Sequence, residues 1–306
     1  MRPLICVTFH YNRNRLKYLK KVLKGFVNIY KNSHIYIITN TFNQFELSNI
    51  KLAFPPHLFN DIILIKSFKV RGHPHNLILC HKKFLFSEFI EKKKFTHFLH
   101  TEDDMLFNKK NFEYWTHYRQ ILKKYNNLPS FFRFEKTKEN SEPKSTDVSF
   151  RILWFLIPKR IIKDYIFINM PNPSQSNYLL DKDLAEEMIK FPPNIKRHYY
   201  LNSNTGIRET TDYGPIFSIV PDLFISKNLV PILSTNYQII PDCLIEHLPA
   251  NYAKNNNTKM GKVSLKKMIY YIPLPDSTLL RNIKYYVYVQ IINVILKLFK
   301  NDKKIN

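Results

Sequence analysis

The sequence predicts an α/β protein with a mainly parallel central sheet covered by helices on both faces. Three observations lead there. The run "PLICVTF" at 3–9 is β-prone without polar alternation, as a strand buried on both faces requires. Further short apolar runs follow, interleaved with stretches of helical period. Polar clusters stand directly behind three of the runs, and open α/β sheets bind ligands beyond the C-terminal ends of their strands.

The elements follow in chain order. After the polar break "HYNRN" (10–14), residues 15–32 carry apolar side chains at 16, 19, 22, 23, 26 and 27, a helical stripe. "HIYIITN" (34–40) and "DIILIKS" (61–67) read as strands, 75–91 as a helix and "THFLH" (96–100) as a fourth strand. Residues 111–125 read as a helix, 130–136 and 148–157 as strands, and 136–147 as a polar loop or hairpin tip. "NYLLDKDLAEEMIKF" (177–191) passes from a short strand into a helix with Asp181 as its N-cap. Residues 277–300 close the chain with a basic amphipathic helical pattern.

Composition narrows the function classes. Of 306 residues, 47 are Lys or Arg and 24 Asp or Glu, a formal charge of +23 that suits an anionic partner or an ordinary Lys-rich surface. Only 5 glycines occur, and neither a P-loop nor a dinucleotide motif is present. No RRM, KH or zinc-finger signature accompanies the charge, so nucleic acid is disfavoured. Cys6, Cys80 and Cys243 lie far apart, as free thiols of a reducing compartment do. The N-terminus reads as a buried strand, not a signal peptide, and no run of about 18 apolar residues spans a membrane. Together these point to a cytoplasmic protein, with a peripheral place on the inner membrane face open to the basic tail.

The sequence "FTHFLHTEDDMLF" (95–107) puts three carboxylates behind an alternating apolar run. If the strand continues through Asp104, Glu102 and Asp104 share one face and Asp103 the other. Two such carboxylates can hold a hard divalent cation that takes its remaining oxygens from substrate phosphates.

The chain resembles glycosyltransferases of the GT-A fold. The residues that carry the likeness are "VTFHYNRN" (7–14), "IITNT" (37–41), 81–105 with Glu102-Asp103-Asp104 as a DxD-like motif, and "FFRFE" (131–135). A weaker likeness runs through 177–188, 207–221, 230–233 and 246–253. The resemblance implies a GT-A-like domain over 1–255, with a nucleotide-sugar half (1–125), an acceptor half (126–255) and a basic tail (256–306). It implies Mn2+ or Mg2+ as cofactor. Asp104 would ligate the metal, Glu102 would meet the ribose or a metal-bound water, and His247 would complete the metal shell. Thr8, His10, Tyr11 and Asn12 would hold base and ribose, with Asn40, Thr41 and Asp103 also at the donor.

Arg71, before Gly72, offers a guanidinium to a diphosphate or a solvated turn. Glu209 and Asp212, in "IRETTDYG", are the candidate catalytic acids, lying three apart on one face if the segment is helical; Glu135 is a lesser candidate. The expected reaction is sugar transfer from a nucleotide diphosphate-sugar to a glycan or lipid-linked hydroxyl acceptor, in cell-surface glycan synthesis. The expected surface contact is an anionic membrane touched through 277–306. The alternatives are a metal-dependent hydrolase using His73, His75, His81, His97, His100 and the acids, and a basic nucleic-acid- or membrane-binding protein without catalysis.

Overall fold

The computed structural model describes residues 2–27, 29, 33–54, 62–154, 156–170, 177–190, 207, 216, 220–235, 237–270, 283 and 287. The chain forms two compact units that interleave in sequence: 1–113, 174–218 and 245–249 make the first, and 114–173, 219–244 and 250–306 the second.

The first unit is built on a five-stranded sheet. Strands β1 (Pro3–Phe9), β2 (His34–Thr39), β3 (Ile63–Ser67) and β4 (His97–Glu102) are mutually parallel, and Tyr178–Leu180 adds an antiparallel edge to β4. β1 is central and buried along its whole length, which is why its sequence shows no alternation. Helix α1 (Leu16–Val27) buries Leu19, Val22, Leu23 and Phe26 and turns Lys17, Lys20, Lys21 and Lys24 outward. At Gly25 the helix passes so close to the strand region behind it that a Cβ would sit 2.6 Å from the Phe107 carbonyl oxygen.

Helix α2 (Gln44–Leu52) was not legible in the hydrophobic pattern. It buries only Ile50 and leaves Phe45 and Leu52 exposed. Its start does carry a chemical signature: Asn43 Oδ1 accepts the amides of Phe45 and Glu46. The expected helix at 75–91 is wound three ways: a 3-10 segment (Pro74–Cys80), one α turn, α3 (His81–Phe84), and a π segment (Leu85–Glu91). β4 runs two residues further than expected, to Glu102, followed by the short strand β5 (Met105–Leu106) and α4 (Lys109–Leu122). Helix α5 (Lys182–Lys190) begins as expected, with Asp181 Oδ1 accepting the Leu184 amide at 2.8 Å.

In the second unit Lys159–Ile162, Tyr165–Asn169 and Asn228–Leu233 form an antiparallel sheet around Phe167, Ile168, Val230 and Ile232. Phe132–Glu135 pairs with Lys144–Ser145, so 136–143 is the hairpin tip expected there. The strand expected over 148–157 is a correction. Among its described residues only Ile152–Leu153 forms a strand, and the Lys159 ammonium donates to the Trp154 and Ile157 carbonyls, which lie in a turn.

Candidate functional site

The parallel order of the first unit brings the loops after β1, β2, β3 and β4 to one sheet edge. Thr8 lies opposite Glu102 in the β1–β4 register.

β4 stops at Glu102, and Asp103 and Asp104 form the turn into β5. The expectation that Asp103 faces away from its neighbours is therefore corrected, because Arg15 reaches both aspartates. Arg15 ends the 3-10 turn Arg13–Arg15 behind β1. Its Nε and Nη2 donate to the two oxygens of Asp103, each at 2.9 Å, and Nη2 also donates to Asp104 Oδ2 at 2.6 Å. His247 approaches from the strand Leu244–His247, which pairs antiparallel with β5, and places Nε2 3.2 Å from Asp104 Oδ2. The other Asp104 oxygen, Oδ1, is buried and has no hydrogen-bond partner among the described residues.

The electrostatics follow from this crowding. Burial pushes the Asp104 carboxyl up, but the donors His247 and Arg15 outweigh it and hold the group down at about 2. Asp103 is pushed up to about 7 by burial and by the charge of Asp104, against the pull of Arg15. A two-pronged guanidinium contact needs both oxygens as acceptors, so Asp103 beside Arg15 is an ion pair.

The remaining candidates have diverse surroundings. Asn40 Oδ1 accepts the Tyr11 amide at 2.9 Å, which joins the loops after β1 and β2. The Tyr11 hydroxyl accepts from Asn49 Nδ2 at 3.1 Å, and its ring meets Phe9 edge-on. Asn12 spends its carbonyl capping the 3-10 turn. Thr41 is buried and donates to Glu46 in α2. Thr8 Oγ1 lies 3.2 Å from His100 Nε2. Glu102 is buried, and Arg71 is exposed with its carbonyl accepting from Asn76 at 2.9 Å.

His10, Asn40, Phe42, Lys69, Val70, Gly72 and Pro74 line a cavity of about 600 Å3 at the ends of β1, β2 and β3. Gly72 has φ 73°, so the turn that closes this cavity favours glycine.

The histidines do not assemble a hydrolase centre. His81 and His100 stack with ring centroids 3.8 Å apart and are fully buried. The Ile78 carbonyl accepts from His81 Nδ1, and the Tyr178 hydroxyl donates to its Nε2. Burial lowers both imidazoles, His81 to about 3. His97 packs on Phe112, and His73 and His75 pair with each other. Among the described residues no three His, Cys, Asp or Glu side chains gather as a metal-binding group.

Glu135 is fully buried and accepts the Ala253 amide at 2.6 Å. Glu209 and Asp212 lie outside the described residues, as does the 277–300 stretch apart from Ile283 and Val287, both helical and exposed. Among the described residues no helix is long and apolar enough to cross a membrane.

No protein-family model and no curated protein matches this chain. Solved structures do resemble it. The chain is similar to residues 1–349 of TarS from S. aureus, at 14% identity over 69% of this chain and 53% of that one, with TM-score 0.38. The same S. aureus fragment in complex with UDP-GlcNAc gives 11% identity, 61% and 47% coverage and TM-score 0.33. The galactosyltransferase LgtC, solved with donor and acceptor sugar analogues, gives 12% identity, 38% and 42% coverage and TM-score 0.25. The match thus spans about half the length of those chains. TM-scores this low mark a partial likeness, and the functional reading rests on the site's own geometry.

Sequence reasoning missed Arg15. It is 88 residues from Asp103, and only the adjacency of β1 and β4 brings them together. Two arginines, Arg13 and Arg15, in the loop behind a central strand were the available signal.

Proposed function

We propose that the chain is a glycosyltransferase moving a sugar from a nucleoside diphosphate-sugar to a hydroxyl acceptor, a glycan or its lipid-linked precursor. The observation that carries this reading is the open Oδ1 of buried Asp104 at the C-terminal edge of a parallel sheet. A buried carboxylate oxygen without a donor is costly unless a ligand completes it.

The donor set fits a hard divalent cation. Mn2+ or Mg2+ needs only one or two protein ligands when a diphosphate supplies the others. Asp104 would be the direct ligand through Oδ1, with His247, whose Nε2 lies 3.2 Å from Oδ2, turning to the cation as a second ligand, and Glu102 meeting the ribose or a metal-bound water. When bound, the cation would neutralise the diphosphate as it leaves. The cavity between the ends of β1, β2 and β3 would take the nucleoside, with Phe42 offering an aromatic face and Lys69 a positive charge near the phosphates. Asn40, one of its lining residues, is held by the Tyr11 amide. Glu209 or Asp212 would accept the proton of the acceptor hydroxyl. Alanine at the residue responsible lowers kcat and leaves donor affinity unchanged. The tail 277–306 would bring the enzyme to an anionic membrane surface, so its removal should abolish pelleting with anionic liposomes.

Calorimetry with UDP and GDP in Mn2+ and in EDTA, followed by turnover with a panel of nucleotide sugars, tests the reading. Nucleotide binding that ignores the cation, or no turnover with any sugar donor, contradicts it.

A further inference from the structure

We infer that Arg15 is the positioning residue of the acidic turn: it occupies Asp103 completely and Asp104 through Oδ2, and so presents Asp104 Oδ1 to the cation. The inference rests on the proposed reading of Asp104 as a divalent-cation ligand.

The turn is pinned from several sides. The Asp103 amide donates to the Thr8 carbonyl at 3.2 Å, and the Asp104 carbonyl accepts the Leu248 amide at 3.0 Å. These contacts fix the backbone but leave both side chains free to rotate. Three hydrogen bonds from one guanidinium fix the carboxylates. Arg15 is itself held, because its amide closes the 3-10 turn on the Asn12 carbonyl at 2.9 Å and Asn12 Oδ1 caps the same turn. Asp103 is therefore spent on Arg15. Of the three consecutive acids it is the one that orients another, and Asp104 is the one left with an open oxygen.

Two accounts of Arg15 predict opposite signs. If Arg15 is only a counter-charge, removing it makes the site more negative and tightens cation binding. If it positions Asp104, removing it weakens cation binding although the site becomes more negative. Partners that orient a metal ligand typically contribute about 10–100-fold in affinity.

The experiment titrates Mn2+ into the folded full chain in the presence of UDP, by calorimetry and by the Mn2+ paramagnetic resonance signal. The variants are Arg15→Gln, Arg15→Lys, Asp103→Asn and the double Arg15→Gln/Asp103→Asn, each melted first to establish that it is folded. Each single variant is expected to lose about tenfold in Mn2+ affinity or more. Lysine is not expected to rescue, since an ammonium cannot make the forked contact. The double variant should be no weaker than either single, because both break the same clamp. Unchanged or tighter Mn2+ binding by Arg15→Gln or Asp103→Asn, even with a lowered melting temperature, overturns the inference, as does rescue by lysine or an additive double. If Arg15→Gln does not fold, Asp103→Asn, of nearly equal shape, decides alone. Wild-type protein that binds no Mn2+ overturns the reading of Asp104 as well, and this first arm separates the two failures.

Discussion

Each of the two units holds a buried aspartate paired with an arginine, and the two pairs are completed differently. In the second unit Asp147 is fully buried, and both its oxygens are taken by Arg133, Oδ2 by the amide at 2.6 Å and Oδ1 by Nε at 2.7 Å. In the first unit Asp104 is nearly as buried, yet Arg15 and His247 both address Oδ2 and no described residue addresses Oδ1. A fold that needed only stability would close the second carboxylate as it closes the first. The closed pair holds a hairpin together. The open pair sits at the edge of a parallel sheet, where it can take a ligand.

The contrast can be broken by mutation. Asp147→Ala removes the acceptor of the Arg133 amide and Nε, and breaking a buried pair from one side costs about 3–5 kcal/mol. Its melting temperature should fall the furthest of the variants considered, while the folded fraction keeps wild-type nucleotide affinity. A variant that melts like wild type would remove the architectural half of the comparison.

A pH titration isolates a third buried cluster, the stacked imidazoles. The folded-state pKa of His81, about 3, lies below its ordinary value of 6.5, so the neutral ring is the stabilising form. Its contribution is complete above about pH 6.5 and is lost as the pH falls toward the folded value, by about 1.4 kcal/mol per pH unit for one proton. Urea melts from pH 7.5 to 4.5 should show this loss, and His81→Gln should make it shallower, leaving the part due to His100 and His97. Equal slopes in the two proteins would mean that His81 is not the group responsible.

A smaller effect is expected at the cavity. Lys69→Ala should weaken UDP binding several-fold, and the remaining affinity should depend less on salt, as for any exposed cation near a phosphate. Salt dependence identical to wild type would remove Lys69 from the donor site. Smallest of all, Tyr11→Phe removes only the acceptor for Asn49 Nδ2, a change of about 1 kcal/mol or less in stability by urea titration. A loss several times larger would assign the hydroxyl a further partner.

Burial on two faces made the sheet legible. β1 and β2 leave uninterrupted apolar runs, and α1 has a wide apolar stripe. Helix α2 escaped because it hides a single isoleucine, and a hydrophobic pattern cannot mark a helix with one buried side chain. The run at 148–157 misled because only Ile152–Leu153 of its described residues enters a ladder, with Ile269–Tyr270, while the Lys159 ammonium holds the Trp154 and Ile157 carbonyls in a turn. At the site, Asp104 could be named from its position behind a strand. The pairing of Asp104 with His247, 143 residues on, was reached through a family resemblance, and Arg15 was not reached at all. Contacts of that range depend on strand order, which local sequence does not encode.

The most direct test of the account is the affinity of UDP and GDP for wild type and Asp104→Ala, measured by calorimetry with Mn2+ and with EDTA. The account predicts that wild type binds at least one of them only with the cation, and that Asp104→Ala, folded by its melting curve, binds neither under either condition. Wild-type affinity in the variant, or equal affinity in EDTA for the wild type, would contradict it.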